Sequence, residues 1–248
     1  MNFTILRFDS INSTNTEAIN QAKRGADEGL CVVAKQQTAG RGRQGRTWVS
    51  PENTGLYFSI VLRPILEMQF LPLLTLMSAV TVFETLKETY KIQPDIKWAN
   101  DVHVNDKKIS GILAESTETN KGLAVIVGIG INLNSKNFPP ELEEIATSIE
   151  TETNEKPNVN ELLENLTKQF SKFYKIIQSE NGTEKICKEW IQRSSYAFGK
   201  DVCVNLANET IFGTTSGIEK NGALRVETEN GEIKTIHAGD VEKLRKNI

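Results

Sequence analysis

The sequence is poor in the residues that most often carry enzyme chemistry. His103 and His237 are its two histidines. A histidine triad or histidine metal cluster has little to build on, and a structural or surface role is expected for both. Cys31, Cys187 and Cys203 are few, odd in number and widely spaced. They make neither a disulfide framework nor a zinc pattern, so a reducing cytoplasmic location is expected. No stretch reaches the roughly 18 consecutive apolar residues of a membrane span. Met1 to Arg7 lacks a basic segment followed by an apolar block, so neither a signal peptide nor a membrane partner is expected. Two common nucleotide signatures are missing, G-x-x-x-x-G-K-[ST] and a G-x-G-x-x-G that opens a helix. The G-x-S-x-G nucleophile elbow is missing too.

Against these absences stands one concentrated feature, Gly40-Arg41-Gly42-Arg43-Gln44-Gly45-Arg46-Thr47-Trp48. The chain as a whole is mildly acidic, with 32 carboxylates against 29 Lys plus Arg and a net charge of −3. A basic loop on an acidic chain points to a local anion site rather than a broad polyanion surface. Glycines let backbone N–H groups approach a ligand. Arginines present planar forks to phosphate or carboxylate. Trp48 offers a flat face to a ring.

At 248 residues the chain can bury a full-sized core. Short strands are expected at 3–8, 30–35, 55–62, 95–98, 102–104 and 107–116, and a central strand at 123–131, whose apolar run fits burial on both faces. Helices are expected at 16–24, 71–90, 159–177 and 183–192. Residues 135–156, rich in Pro, Glu, Thr and Asn, read as loop. After about Ser194 the pattern turns to alternating strands with Asn221-Gly222 and Asn230-Gly231 hairpin turns. The expected fold is α+β (α/β): a mixed sheet with packed helices over 1–193, then a small SH3-like β-barrel over 194–248.

A second block, Lys97-Trp98-Ala99-Asn100-Asp101, packs a cation, an aromatic, an amide and a carboxylate together. It precedes Lys108-Ile109-Ser110-Gly111-Ile112-Leu113. On a strand Lys108 and Ser110 share one face, so Lys108 can project into a cleft while Ile109 anchors the strand. Alone, Lys107-Lys108 reads as a solvated turn. Together with Ser13-Thr14-Asn15, Gln37-Thr38-Ala39-Gly40-Arg41-Gly42-Arg43, Trp48 and Gly128-Ile129-Gly130-Ile131-Asn132, these blocks resemble the biotin protein ligases in order and approximate spacing. The resemblance spans essentially the whole chain. Ala99 departs from it, since that family usually has proline there. Because the blocks begin close to Met1, the chain resembles the monofunctional class, which lacks an N-terminal DNA-binding domain, and no DNA partner is expected.

The resemblance implies a ligase that makes biotinyl-5'-adenylate from biotin and ATP with Mg²⁺. It then passes biotin to a lysine of a biotin carboxyl carrier protein domain; a homodimer is possible. It implies catalytic roles for Lys108 and Arg43, with Asp101 either a proton acceptor or a structural cap. It places Ser13, Thr14, Asn15, Gln37, Gly40, Arg41, Gly42, Arg43, Lys108 and Gly111 around biotin. It places Arg41, Arg43, Arg46, Trp48, Lys97, Asn100, Lys108, Asn132 and Arg245 around ATP. The Gly40–Trp48 loop is expected to close as a lid over the hydrolysable adenylate. Two other readings stay open at this point. One is a lipoate–protein ligase, which resembles this family in catalytic fold. The other is a single-stranded nucleic-acid binder using the Arg/Gly loop.

Overall fold

The computed structural model describes residues 1–136, 138–206 and 208–243. In chain order the first elements are β1 (Thr4–Ile11), α1 (Thr14–Lys23), β2 (Leu30–Gln37), β3 (Gly55–Leu62) and α2 (Leu73–Tyr90). They are followed by β4 (Asp95–Lys97), β5 (Asp101–Val104), β6 (Lys107–Thr119) and β7 (Gly122–Asn132). The seven strands form one sheet in the order β1-β2-β3-β7-β6-β5-β4. β1 and β2 are parallel, and β3, β7, β6, β5 and β4 join through antiparallel pairs. This is the mixed sheet expected from the sequence.

β7 shows why its apolar run is unbroken. Val125, Val127, Ile129 and Ile131 point into the main core, while Ala124 and Ile126 point into a second cluster with Ala18, Ala22, Val32 and Val61. Alternate residues of a strand face opposite sides, so a sheet covered on both faces needs apolar residues at every position. The main core is sealed by α2 and by α5 (Val159–Ile177), with Phe58, Phe170 and Phe173 fully buried. Each such side chain contributes about 1.5–3 kcal/mol of transfer free energy. Asn158 starts α5 by accepting from the backbone N–H groups of Asn160 and Glu161. Met68–Tyr90 is long and apolar enough by length and composition to cross a membrane. Twelve of the side chains of α2, Leu73 to Leu86, are instead buried in the protein.

On the opposite face α1 covers only part of the sheet. Its apolar side chains sit over Val32, Val61, Ala124 and Ile126. Its first residues, Thr14 and Asn15, lie over the next stretch of the same face. There the sheet carries Ser59 on β3, Gly128 and Gly130 on β7 and Gly111 on β6, and Gly111 pairs directly with Gly130. Bare glycines on two neighbouring strands, beside a small serine on the third, create a shallow depression that larger residues would fill.

Residues 135–156 correct the expectation of a loop. The structure forms α3 (Pro140–Glu143) and α4 (Ile149–Thr153) there. Pro140 opens α3 at a position where its missing N–H is no loss. The Ser148 hydroxyl accepts from Thr151 N and caps α4. Between the two helices, Lys108 N donates to Ile145 O and Thr147 N donates to Lys108 O, fastening the segment beside β6. After α5 comes α6 (Gly182–Ile191).

The remaining strands are β8 (Phe198–Asn205), β9 (Thr210–Ile218), β10 (Leu224–Glu227), β11 (Ile233–Ile236) and β12 (Asp240–Lys243). They form an antiparallel sheet in the order β11-β10-β9-β8-β12. Gly222 and Gly231 take φ of 87° and 76°, the left-handed backbone that the two Asn-Gly turns require. This sheet touches the first one through Trp98 Nε1, which donates to Gly222 O at 2.9 Å.

Candidate active site

One cavity opens over the glycine depression, and a second shares a wall with it. The first is lined by Ser13, Thr14, Asn15, Gln37, Arg41, Gly42, Arg43, Asn100, Gly111 and Gly128 among others. The second is lined by Lys97, His103, Asn132, Phe138, Leu142, Ile145, Ala146 and Tyr196. Arg46, Thr47, Trp48, Asp101 and Lys108 border both. The side chain assigned a central role on sequence grounds therefore stands where the two spaces meet.

Lys108 is held at that wall from two sides. Its Nζ lies 2.7 Å from Asp101 Oδ1 and 5.4 Å from the centre of the Trp48 ring. The carboxylate and the π-face both attract the cation and fix where it points. Trp48 lies over bare backbone. A Cβ added to Gly130 would sit 2.5 Å from its indole, and one added to Gly111 would sit 3.0 Å from its ring. These glycines thus make room for a side chain of the protein itself. Gly128 does the same for Asn15, whose Oδ1 would lie 2.1 Å from an added Cβ.

The first cavity has a polar end built from the start of α1. Asn15 Nδ2 donates to Leu113 O at 3.2 Å and to Glu115 Oε2 at 2.7 Å. Asn15 Oδ1 accepts from Ser59 Oγ at 2.6 Å, and Ser59 Oγ lies 2.7 Å from Thr14 Oγ1. Thr14 N donates to Gln37 Oε1 at 2.8 Å, and Gln37 Nε2 donates to Ser50 Oγ at 2.9 Å. Ser13 is buried at the N-cap of α1. Hydroxyls and amides both donate and accept, so this end suits a ligand with N–H and C=O groups on one small ring. Ser59, Ser50 and Glu115 were not singled out from the sequence. Nothing in a strand of β-rich residues marks one serine as part of a site until the pairing with Gly128 is known.

The Gly/Arg loop closes over this end as a small hairpin. Trp48 N donates to Gly40 O, and Gly42 N donates to Arg46 O. A Cβ on Gly40 would fall 2.3 Å from Trp48 O, so only glycine lets the two ends meet. Each arginine has a partner in the protein. Arg41 pairs with Glu115 at 2.7 Å, Arg43 donates to Asn100 Oδ1 at 2.8 Å, and Arg46 pairs with Asp240 of β12. Asn100 in turn donates to Ile112 O at 3.0 Å, tying the loop to β6. The loop is therefore ordered by protein contacts of its own, and an arginine that turns to a ligand must exchange one of them.

The second cavity is more apolar. Phe138, Leu142 and Ile145 come from the segment read as loop, and Ile145 is 59% exposed. Asn132 sits at its edge and donates to Thr147 O at 2.9 Å and Lys108 O at 3.3 Å, holding that segment against β6. His103 lies in the same wall. Burial, with a contribution from Lys97, pushes its pKa below the usual imidazole range. Arg245 lies outside the described residues. Among the described residues no group of three His, Cys, Asp or Glu side chains could hold a metal ion. Asp101 is the carboxylate common to both cavities.

Comparison with known proteins identifies the family. A family model described as Biotin/lipoate A/B protein ligase family matches residues 7–132, and one described as Biotin protein ligase C terminal domain matches residues 197–244. The chain is 40% identical over 239 residues to the bifunctional ligase/repressor BirA of Bacillus spizizenii, covering 94% of this chain and 72% of that protein. It is 29% identical over 239 residues to the biotin–[acetyl-CoA-carboxylase] ligase of Mycobacterium tuberculosis, covering 94% and 86%. The biotin protein ligase from Aquifex aeolicus, solved in complex with biotin and ATP, matches with a TM-score of 0.83 and 32% identity over 98% of this chain and 99% of that one. The chain belongs to the biotin/lipoate A/B protein ligase family and, within it, to the biotin protein ligases.

Proposed function

We propose that the protein activates biotin with ATP to biotinyl-5'-adenylate and transfers biotin to one lysine of a biotin carboxyl carrier domain. The observation that carries this is the position of Lys108 in the wall common to the two cavities. Adenylation brings a carboxylate against the α-phosphate of ATP. The carboxylate oxygen forms the new bond to phosphorus, and pyrophosphate leaves with the electron pair. Both reactants are anions, so the approach needs positive charge at the point of contact. Lys108 supplies it, with Arg41 and Arg43 on the loop side. The polar end formed by Thr14, Asn15 and Gln37 takes the cyclic urea, and the second cavity with Lys97, Asn132 and Trp48 takes the nucleotide.

Mg²⁺ enters this reading with ATP. A magnesium ion commonly keeps several waters and binds through one or two carboxylates plus substrate phosphates. Asp101, alone on the common wall, fits that pattern and not an all-protein cage. Asp101 would hold the ion, which would supply positive charge to offset that of the phosphates. Asp101 meanwhile orients Lys108. In the second step the neutral amine of the carrier lysine attacks the acyl carbon, and AMP leaves. The Gly40–Trp48 loop screens the adenylate from water, and Arg43, tied to Asn100, helps to hold it down. The net charge of −3 works against neutralising the phosphates of a DNA duplex, so DNA has no part in this reading.

The test is a mass measurement. The protein is mixed with biotin, Mg·ATP and a biotin carboxyl carrier domain, and the carrier is weighed. A gain of one biotinyl group on one lysine is expected. An unmodified carrier, or equal modification with lipoate in place of biotin, overturns the proposal.

A further inference from the structure

Glu115 belongs to none of the groups assigned so far, yet one of its oxygens serves two of them. Its Oε2 accepts from Asn15 Nδ2 and from Arg41 Nη2, each at 2.7 Å. Asn15 is buried in the polar end of the first cavity, and Arg41 is in the Gly/Arg loop. Glu115 follows Gly111 and Leu113 along one face of β6, so the strand delivers it beneath the start of α1.

The consequence is a fixed direction of hydrogen bonding. With its NH₂ engaged by Leu113 O and Glu115, Asn15 must present Oδ1 to Ser59. Oδ1 can only accept, so the single Ser59 proton goes to it. Ser59 Oγ is also placed to donate to Thr14 Oγ1 at 2.7 Å, and with its one proton spent on Asn15 it leaves that lone pair of Thr14 open. The Thr14 proton goes to Gln37 Oε1 at 3.1 Å, beside the bond that Thr14 N makes to the same oxygen. The Thr14 oxygen, on the cavity wall, keeps lone pairs for a ligand N–H. Were the Asn15 amide turned round, Ser59 would accept from it and give its own proton to Thr14, closing that lone pair.

We propose that Glu115 is a positioning residue for biotin's cyclic urea: by holding Asn15 it makes Thr14 an acceptor for a urea N–H, and with the same oxygen it docks Arg41 over that end. This rests on the function proposed above. It predicts that the length of the side chain matters more than its charge. Glutamine keeps a carbonyl oxygen at the same reach and can still accept from both partners. Aspartate keeps the charge but withdraws it by one methylene, leaving only the longer bond to Leu113 O to hold Asn15.

Calorimetry of biotin binding to the full chain without nucleotide tests this. Glu115→Asp is expected to weaken biotin binding about tenfold, a loss on the scale of one hydrogen bond to a charged group. Glu115→Gln is expected to stay within about threefold of the wild type, as expected where only an exposed ion pair is weakened. Steady-state pyrophosphate release should show the Asp variant with a raised KM for biotin, an unchanged KM for ATP and an unchanged kcat. An N-methylated biotin urea should be penalised less in the Asp variant than in the wild type. Wild-type affinity in Glu115→Asp, an equal loss in Glu115→Gln, or a fall in kcat with both KM values unchanged overturns the proposal. The binding arm uses no ATP, so wild-type protein that binds biotin but releases no pyrophosphate contradicts the enzyme reading and not the role of Glu115.

Discussion

Lys108 on β6 and Asp101 on the neighbouring β5 form an ion pair, Nζ to Oδ1 at 2.7 Å, at the wall between two cavities. The pair keeps a cation where two anions are to meet, and the Trp48 ring lies 5.4 Å from the same Nζ. A charge held before substrate arrives needs little reorganisation during the reaction.

Replacing Lys108 with alanine should remove most of the first half-reaction. Loss of one oriented charge contact of this kind commonly lowers the rate about 10²–10³-fold. Biotin binding should survive, because the polar end around Thr14 and Asn15 is untouched. Pyrophosphate release and calorimetry check the two halves, and a variant with near-normal pyrophosphate release removes Lys108 from the mechanism.

Gly130→Ala should displace Trp48. The added methyl would sit 2.5 Å from the indole, a contact that forces either the ring or the strand to move. Overpacking of this sort costs about 1–3 kcal/mol when the neighbour cannot yield. Trp98 and Trp190 are buried elsewhere and act as constant background. The expected results are a red-shifted fluorescence emission and weaker ATP binding. Unchanged emission together with unchanged ATP affinity would show that Trp48 does not need the bare backbone.

His103 should make the protein sensitive to mild acid. Burial comes first in holding its pKa down, Lys97 and Lys108 push the same way, and Asp101 and the backbone at Asp106 oppose them. The unfolded chain takes up a proton near pH 6.5, which the folded protein resists. The contribution to stability is therefore complete above about pH 6.5 and is lost as the pH falls through that value toward the lower folded pKa. Thermal midpoints measured from pH 7.5 to 5 should drop more steeply for the wild type than for His103→Gln. Parallel curves would assign the acid sensitivity to other groups.

The loop should lose backbone exchange when both substrates bind. Glycines at 40, 42 and 45 make it costly to order, and its arginines are held by protein partners that a ligand must replace. Hydrogen exchange over residues 40–48 should be markedly slower with biotin and Mg·ATP than without. Equal protection in both states would make the segment a preformed cradle and not a lid.

Much of this was legible in the residues, for identifiable reasons. The strand at 55–62 and the helix at 159–177 follow from long, regular apolar patterns, and the structure places both there. The apolar run of β7 gave away a strand buried on both faces. The blocks Lys97–Asp101 and Lys108–Leu113 do converge, because β5 and β6 pair through Asp101 and Gly111. What escaped were features that exist only through contact. The helices and the apolar side chains between Phe138 and Ile145 are too short and too diluted by Glu and Thr to show periodicity, and they matter because the segment pairs with Lys108. Ser59 and Glu115 carry no local signal. They become part of the site only when register sets Ser59 beside Gly128 and Leu113 beside the same glycine.

The central claim is that Lys108 stands between the biotin carboxylate and the α-phosphate. A structure of the protein with biotin and a non-hydrolysable ATP analogue tests it directly. The predicted result has the cyclic urea against Thr14 and Asn15, the nucleotide in the cavity bordered by Lys97 and Asn132, and Lys108 Nζ within hydrogen-bonding distance of both reacting groups. Biotin bound with its carboxylate turned away from Lys108, or a nucleotide seated outside the second cavity, would contradict it.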